Sequence, residues 1–154
     1  METNMNEKAQ LYWNKFWEGK VQPTSVVAEQ FGFECHADEL SQLILDGKKT
    51  ATCSAYVLYE IENQPLPTVD TYTIVLNSKN EPVAIIRTTE VQIIKMNEVP
   101  EALALAEGEG DLTFEYWWNG HKKHFTIELE EVGLEFSEDM LLVFERFELI
   151  DKAK

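Results

Sequence analysis

The chain has 154 residues, 28 acidic and 13 basic, for a net charge of −15. Hydrophobic residues at 44% and charged residues at 27% make an ordinary globular balance. That excludes a disordered acidic tail, which would bury too little apolar surface to offset its ordering entropy. The charge also excludes a broad basic footprint on duplex DNA, while leaving room for one nucleoside or a short single strand held at a local basic spot. Residues 1–97 hold 13 acids and 8 bases, a net of −5, and residues 98–154 hold 15 and 5, a net of −10. The C-terminal third should therefore present a solvated acidic face.

Two cysteines, Cys35 and Cys53, are too few for a disulfide framework and read as free, buried or half-buried thiols. No stretch approaches the ~18 apolar residues of a membrane span. The polar segment from Met1 to Gln10 lacks the apolar core of a signal peptide, so a cytoplasmic protein is expected.

In chain order, Met5, Ala9, Tyr12, Trp13, Phe16 and Trp17 recur at helical spacing, which predicts an aromatic-heavy helix over about residues 4–18, stopped by Gly19. Thr24 is positioned to cap a second helix through Phe31, ended by Gly32. A third helix is expected from Ala37 to Asp46, with Gly47 as its left-handed C-terminal residue. Thr50 to Tyr59 then turns rich in Thr, Tyr and Val and opens the strand region. Thr71–Leu76 and Val83–Ile94, joined by Asn77-Ser78-Lys79-Asn80, read as a hairpin, with Pro82 at an edge or entry position. Pro100 opens a helix that breaks at Glu107-Gly108-Glu109-Gly110-Asp111. Asp111 is expected to cap the next helix, which carries Phe114, Trp117 and Trp118, bends near Gly120 and resumes from His121 to Glu131. Met140–Ile150 closes the chain as a strand. With no repeat or linker, the pattern predicts one α+β domain over residues 1–154.

Two segments carry candidate chemistry. Gly47-Lys48-Lys49-Thr50-Ala51-Thr52 lies between a helix and a strand, the reverse of a P-loop. A lysine beside a threonine hydroxyl accepts a proton only if its pKa is lowered, and Lys48 next to Lys49 is the kind of neighbouring cation that lowers it. The plain alternative is a solvated lysine pair after a helix cap. Glu107-Gly108-Glu109-Gly110-Asp111 alternates three carboxylates with two glycines, which suits acid–base work or equally a flexible acidic loop. It is too short for an EF-hand. His121 and His124 share a helical face but signal no third ligand, and His36 beside Cys35 is remote, so no metal is expected. His121, four residues after Trp117, fits better as the lining of an aromatic pocket.

These motifs resemble the ASCH domain family. The Gly47-x-Lys49-Thr50-x-Thr52 junction after an amphipathic helix carries the resemblance. Tyr12-Trp13-x-x-Phe16, the Glu107–Asp111 segment, Tyr116-Trp117 and Gly120-His121 are similar to a bacterial branch formerly known as a domain of unknown function. The resemblance covers most of the chain. It implies a PUA-like small β-barrel decorated by helices, a cleft beside the glycine–lysine junction, and RNA or nucleotides as ligands. One member type, the bacterial N4-acetylcytidine amidohydrolase, is similar in the Gly-x-Lys-Thr-x-Thr segment. That likeness implies Lys49 and Thr52 as catalytic residues, with a glutamate matched to Glu109 or to Glu107. The amidohydrolase type is shorter, lacks the N-terminal aromatic helix, and has an arginine where this chain has Ser54, which removes a fixed positive charge from the expected cleft.

The expected activity is hydrolysis of a modified nucleoside. Lys49 activates the Thr52 hydroxyl, Glu109 shuttles a proton to the leaving amine, and backbone amides near Gly47 steady the oxyanion. Tyr56 or Trp117 stacks on the base. Gly47, Lys48, Ser54, Tyr56, Glu107, Trp117 and His121 complete the expected binding residues, and no cofactor is called for. The rivals are a non-catalytic RNA- or nucleotide-binding module and an RNA-cleaving enzyme. With only two arginines, Arg87 and Arg146, a small nucleoside is favoured over long RNA, and neither a membrane nor duplex DNA is an expected partner.

Overall fold

Helix α1, Glu7–Phe16, starts where the Asn6 side chain accepts a hydrogen bond from the Ala9 amide at 2.8 Å. It lays Ala9 and Trp13, both essentially fully buried, against Ala28, Ile74, Leu76 and Ile85. The structure, a computed structural model, describes residues 5–31 and 36–153. Asn4 as the expected helix start, Gly32 as a helix stop and the Cys35 thiol lie outside the described residues.

Five strands form one sheet in the order β1-β3-β4-β5-β2. Strand β1 is Val26–Gln30, β2 Ala51–Ala55, β3 Tyr72–Leu76, β4 Pro82–Lys95 and β5 Leu141–Lys152. The segment expected as a second helix is β1 instead. Val26 and Val27 are β-branched, and all five of its residues pair in parallel with Tyr72–Leu76, so long-range pairing overrides a short helical pattern. The hairpin of β3 and β4 forms as expected, with Asn80 in the left-handed region at φ 61° and Pro82 opposite Leu76 at a register shift. Strand β4 runs 14 residues, its first half between β3 and β5 and its second half paired with β5 alone. Register shifts at Ile85/Ile86 and Thr88/Glu90 sharpen its twist, and the sheet curls into a half-barrel rather than a closed barrel.

Helix α2, Ala37–Leu45, covers one face of the sheet with Leu40 and Ile44 on Val75, Ile86 and Phe147. The Thr-Tyr-Val-rich segment that opens the strand region is extended only to Ala55, after which Tyr56–Ile61 forms helix α3. Helices α4, Glu101–Leu105, and α5, Phe114–Glu130, pack Leu103, Trp117 and Phe125 on Leu142 and Phe144. The α5 cap is Thr113, whose hydroxyl accepts from the Tyr116 amide at 3.1 Å; Asp111 buttresses Thr113 rather than capping the helix. Helix α5 passes through Gly120 as one uninterrupted 17-residue element. A methyl group at Gly120 meets nothing within 4 Å. Gly120→Ala is therefore expected to stabilise the protein by about 0.5–1 kcal/mol, read as a higher urea midpoint with an unchanged slope. Among the described residues no helix is long and apolar enough to cross a membrane.

Candidate functional site

The site starts at the end of α2. Gly47, at φ +75°, reverses the chain so that the Gly47 amide donates to Ile44 O (3.0 Å) and the Lys48 and Lys49 amides both donate to Leu43 O (2.9 and 3.1 Å). These amides are spent on helix carbonyls, which corrects the expectation that they steady an oxyanion. The reversal throws Lys48 into solvent and Lys49 inward, where it is 2% exposed.

The partner of Lys49 comes from the turn after α4. Thr50 N donates to Ala106 O at 2.8 Å, pinning that turn to the start of β2. Gly108, at φ +69°, lies so close that a Cβ there would sit 2.1 Å from Lys48 O. Glu107 and Glu109 are thereby aimed at one ammonium: Lys49 Nζ is 3.3 Å from Glu107 Oε1 and 3.0 Å from Glu109 Oε2.

Glu107 is the hub, buried at 2% exposure. Its second oxygen accepts from Cys53 Sγ at 3.3 Å, Trp117 Nε1 at 2.5 Å and His121 Nε2 at 3.1 Å. His121 Nδ1 lies 2.8 Å from Trp117 O. A carbonyl and a carboxylate both only accept, so both ring nitrogens carry protons and His121 is an imidazolium. Lys49 and His121 thus balance Glu107 and Glu109.

The pKa shifts follow from these contacts. Burial alone would raise Glu107, but His121 and Lys49, with the hydrogen bonds from His121 and Trp117, pull it down to about 2. Burial alone would lower Lys49, yet Glu107 and Glu109 together hold it above its usual value. His121 is likewise raised by Glu107 against burial. The Cys53 thiol is pushed well up, by burial first and then by Glu107, and stays protonated. Lys49 is therefore an ammonium and not the free-base lysine the sequence suggested. Lys48 stands in solvent, and the groups beside Lys49 are anions.

Cys53, Glu107 and His121 present ligand atoms within 4.8 Å of one another, a third partner for His121 that no spacing signalled. A zinc ion would have to displace the thiol and imidazolium protons and sit beside the Lys49 ammonium. The donor set as arranged suits proton sharing better than metal binding. His124 points elsewhere, 3.7 Å from Glu128.

A cleft of about 770 Å³ opens over this cluster. Of the expected residues, Lys49, Thr52, Ser54, Glu107, Glu109, Trp117 and His121 line it, while Gly47, Lys48 and Tyr56 do not. Trp117 is 4% exposed and already stacked on His121 at 4.7 Å, so the accessible aromatic is Tyr116, 50% exposed on the cleft rim. Sequence reasoning also missed Glu29, Tyr59 and Glu145 in the lining. Glu145 carried a signal, as a carboxylate on the strand face otherwise formed by Val143 and Phe147; Glu29 was hidden inside the helix expected there.

Fold and site together define a helix-decorated half-barrel whose cleft is floored by a lysine between two glutamates. The chain matches the family model described as ASCH domain over residues 27–151, and it belongs to that family. The crystal structure of an ASCH domain from Lactobacillus crispatus is similar over 95% of this chain and 96% of that one, at 35% identity and a TM-score of 0.89. A DUF984 protein from Enterococcus faecalis is similar over 95% of this chain and 90% of that one, at 38% identity and a TM-score of 0.84. No curated protein matches the chain. The family match begins after α1, which docks on the sheet through Ala9 and Trp13.

Proposed function

We propose that this protein hydrolyses the amide of an acylated nucleoside of the N4-acetylcytidine type. The observation that carries the reading is the Lys49 ammonium held 3.0 Å from the partly exposed Glu109 carboxylate, in the floor of a cleft that Thr52 also lines. Amide hydrolysis needs an attacking oxygen, a carboxylate to relay its proton, and a donor for the charge that develops on the carbonyl oxygen.

Lys49, kept charged by its two carboxylates, supplies the donor. Glu109 takes the proton of the attacking oxygen, either the Thr52 hydroxyl or a water. It returns that proton to the amine nitrogen as the carbon–nitrogen bond breaks. If Thr52 attacks, water then cleaves the Thr52 ester to release the acid. Glu107 takes no part in the relay: with a low pKa and four donors around it, it anchors Lys49 and His121. Strand alternation sends the Thr52 side chain off the face of β2 opposite to Cys53. β2 is an edge strand, and both residues border the cleft.

The test is incubation with N4-acetylcytidine while cytidine release is followed. Turnover is expected in the wild type. Glu109→Gln and Lys49→Ala are each expected to reduce it by about 10²-fold or more. No release at high enzyme concentration, or full activity in both variants, overturns the reading. Thr52→Ala then assigns the attacking oxygen. The rival reading, RNA binding without chemistry, predicts saturable binding that weakens with salt and yields no product.

A further inference from the structure

The concave side of the half-barrel holds a second pair of carboxyls that the proposed chemistry does not use. Phe31, just past β1, and Phe147 on β5 pack across it with ring centroids 6.3 Å apart. Strands β1 and β5 run in the same direction, because β1 is parallel to β3 and two antiparallel steps separate β3 from β5. Two residues back from each phenylalanine, on the same faces by strand alternation, stand Glu29 and Glu145. Both line the cleft.

Their surroundings are unusual for two acids. Among the described residues the Glu29 carboxyl makes no hydrogen bond and no ion pair, and the Glu145 carboxyl accepts only from Thr88 Oγ1 at 3.2 Å. Burial, reinforced by Glu145, pushes Glu29 up to about 8, and burial raises Glu145 as well. Tyr59, hydrogen-bonded to Ser54 at 2.7 Å, faces both carboxyls. The cleft as a whole is lined by seven glutamates against two lysines and the His121 imidazolium, and Arg87 and Arg146 are paired elsewhere, with Asp70, Glu148 and Glu90. Among the described residues neither carboxyl has an ion pair, and carboxyls buried in a cleft open to ligand accept N–H donors; a phosphate there would meet like charge.

We propose that Glu29 and Glu145 are the recognition residues of the cleft, holding an N–H-rich amine or amidine-type group of a ligand that carries no phosphate. The inference rests on reading the cleft as a ligand site, and it deepens the proposed function by making the substrate a free nucleoside rather than a nucleotide or RNA. One carboxyl accepts from the ligand's amino group, which in cytidine is the nitrogen freed once the amide has been cleaved, while the other, which retains its proton until a donor replaces it, donates to an adjacent ring nitrogen or exchanges that proton for a cation.

Calorimetric titration tests this without any turnover, using cytidine, cytidine 5′-monophosphate and the guanidinium amine agmatine at low salt. Cytidine is expected to bind about tenfold or more tightly than its monophosphate. Glu145→Gln and Glu29→Gln are each expected to weaken cytidine by about tenfold, the loss of one hydrogen bond to a charged or strongly polar partner. Both substitutions keep shape and remove a strained acid, so the thermal midpoint should hold or rise, which separates recognition from folding. Binding of agmatine but not cytidine, with the same loss in both variants, supports the recognition wall and overturns the nucleoside reading. Monophosphate binding as tightly as cytidine, affinities unchanged in both variants, or no binding of either amine overturns the inference itself. Hydrolysis of N4-acetylcytidine stands or falls separately, through Lys49 and Glu109.

Discussion

Glu107→Ala is expected to lower the unfolding free energy by about 3–5 kcal/mol, because it strips the shared anion from two buried cations and leaves them facing each other. The carboxylate accepts from Lys49, Cys53, Trp117 and His121, so its loss also orphans a thiol and an indole N–H. Glu107→Gln keeps an acceptor oxygen without the charge and should fall between the two. The pH dependence supplies an independent signature. Glu107 is depressed to about 2 in the folded state, so its contribution is complete above its unfolded value near 4.5 and is lost as pH falls from there toward 2. A shift of that size corresponds to roughly 3 kcal/mol. His121 is raised, so its contribution is complete below its unfolded value of 6.5 and is lost as pH rises through its folded pKa. Urea denaturation of wild type and Glu107→Ala should therefore differ most between about pH 4.5 and 6.5. The difference should shrink on both sides. A constant difference from pH 2 to 9 would contradict this account of the hub.

Gly108→Ala is expected to be nearly as costly, by about 2–4 kcal/mol, through the backbone rather than through charge. The residue sits at φ +69°, and its Cβ would meet Lys48 O at 2.1 Å and Lys49 N at 2.9 Å. None of those atoms belongs to a flexible side chain. The turn carrying Glu107 and Glu109 would have to back away from the start of β2, breaking the Thr50–Ala106 hydrogen bond and withdrawing both carboxylates from Lys49. Loss of stability together with loss of cytidine release is the expected result, measured by urea denaturation and the release assay. A stable, fully active Gly108→Ala protein would show that this close approach is not needed. Gly120→Ala, at a helical position with open space around it, is the contrasting substitution in the urea denaturation.

The local elements were legible where one local signal dominated. The α2 periodicity with Gly47 behind it, the Asn-rich turn between β3 and β4, and the long alternation of β5 each appear as expected. That Lys49 meets Glu107 and Glu109 was not legible in the sequence, because the two motifs lie far apart and only the fold brings them together. Errors arose where a short segment depends on a distant partner. Val26–Gln30 has a pattern compatible with a helix and becomes a strand only because β3 offers it an open edge. Tyr56–Ile61 looks strand-like by composition, yet its chain turns helical where the pairing of β2 with β5 ends at Ala55. The protonation of Lys49 was also beyond the sequence. Adjacent Lys48 suggested a lowered pKa, but the turn at Gly47 sends that cation to solvent, and the fold substitutes two anions.

The sequence by itself determined an α+β chain with a net charge of −15, a Gly-Lys-Lys-Thr junction, a Glu-Gly-Glu segment and the ASCH resemblance. These depend on residue type and spacing, which are local. Only the tertiary structure decided that seven glutamates line one cleft, that Glu107 is an anchor while Glu109 is partly exposed there, and that Glu29 and Glu145 line the same cleft. Those facts depend on how the sheet curls and how deeply each carboxyl is buried. Electrostatic energy turns on distance and desolvation, and neither is written in the order of the residues.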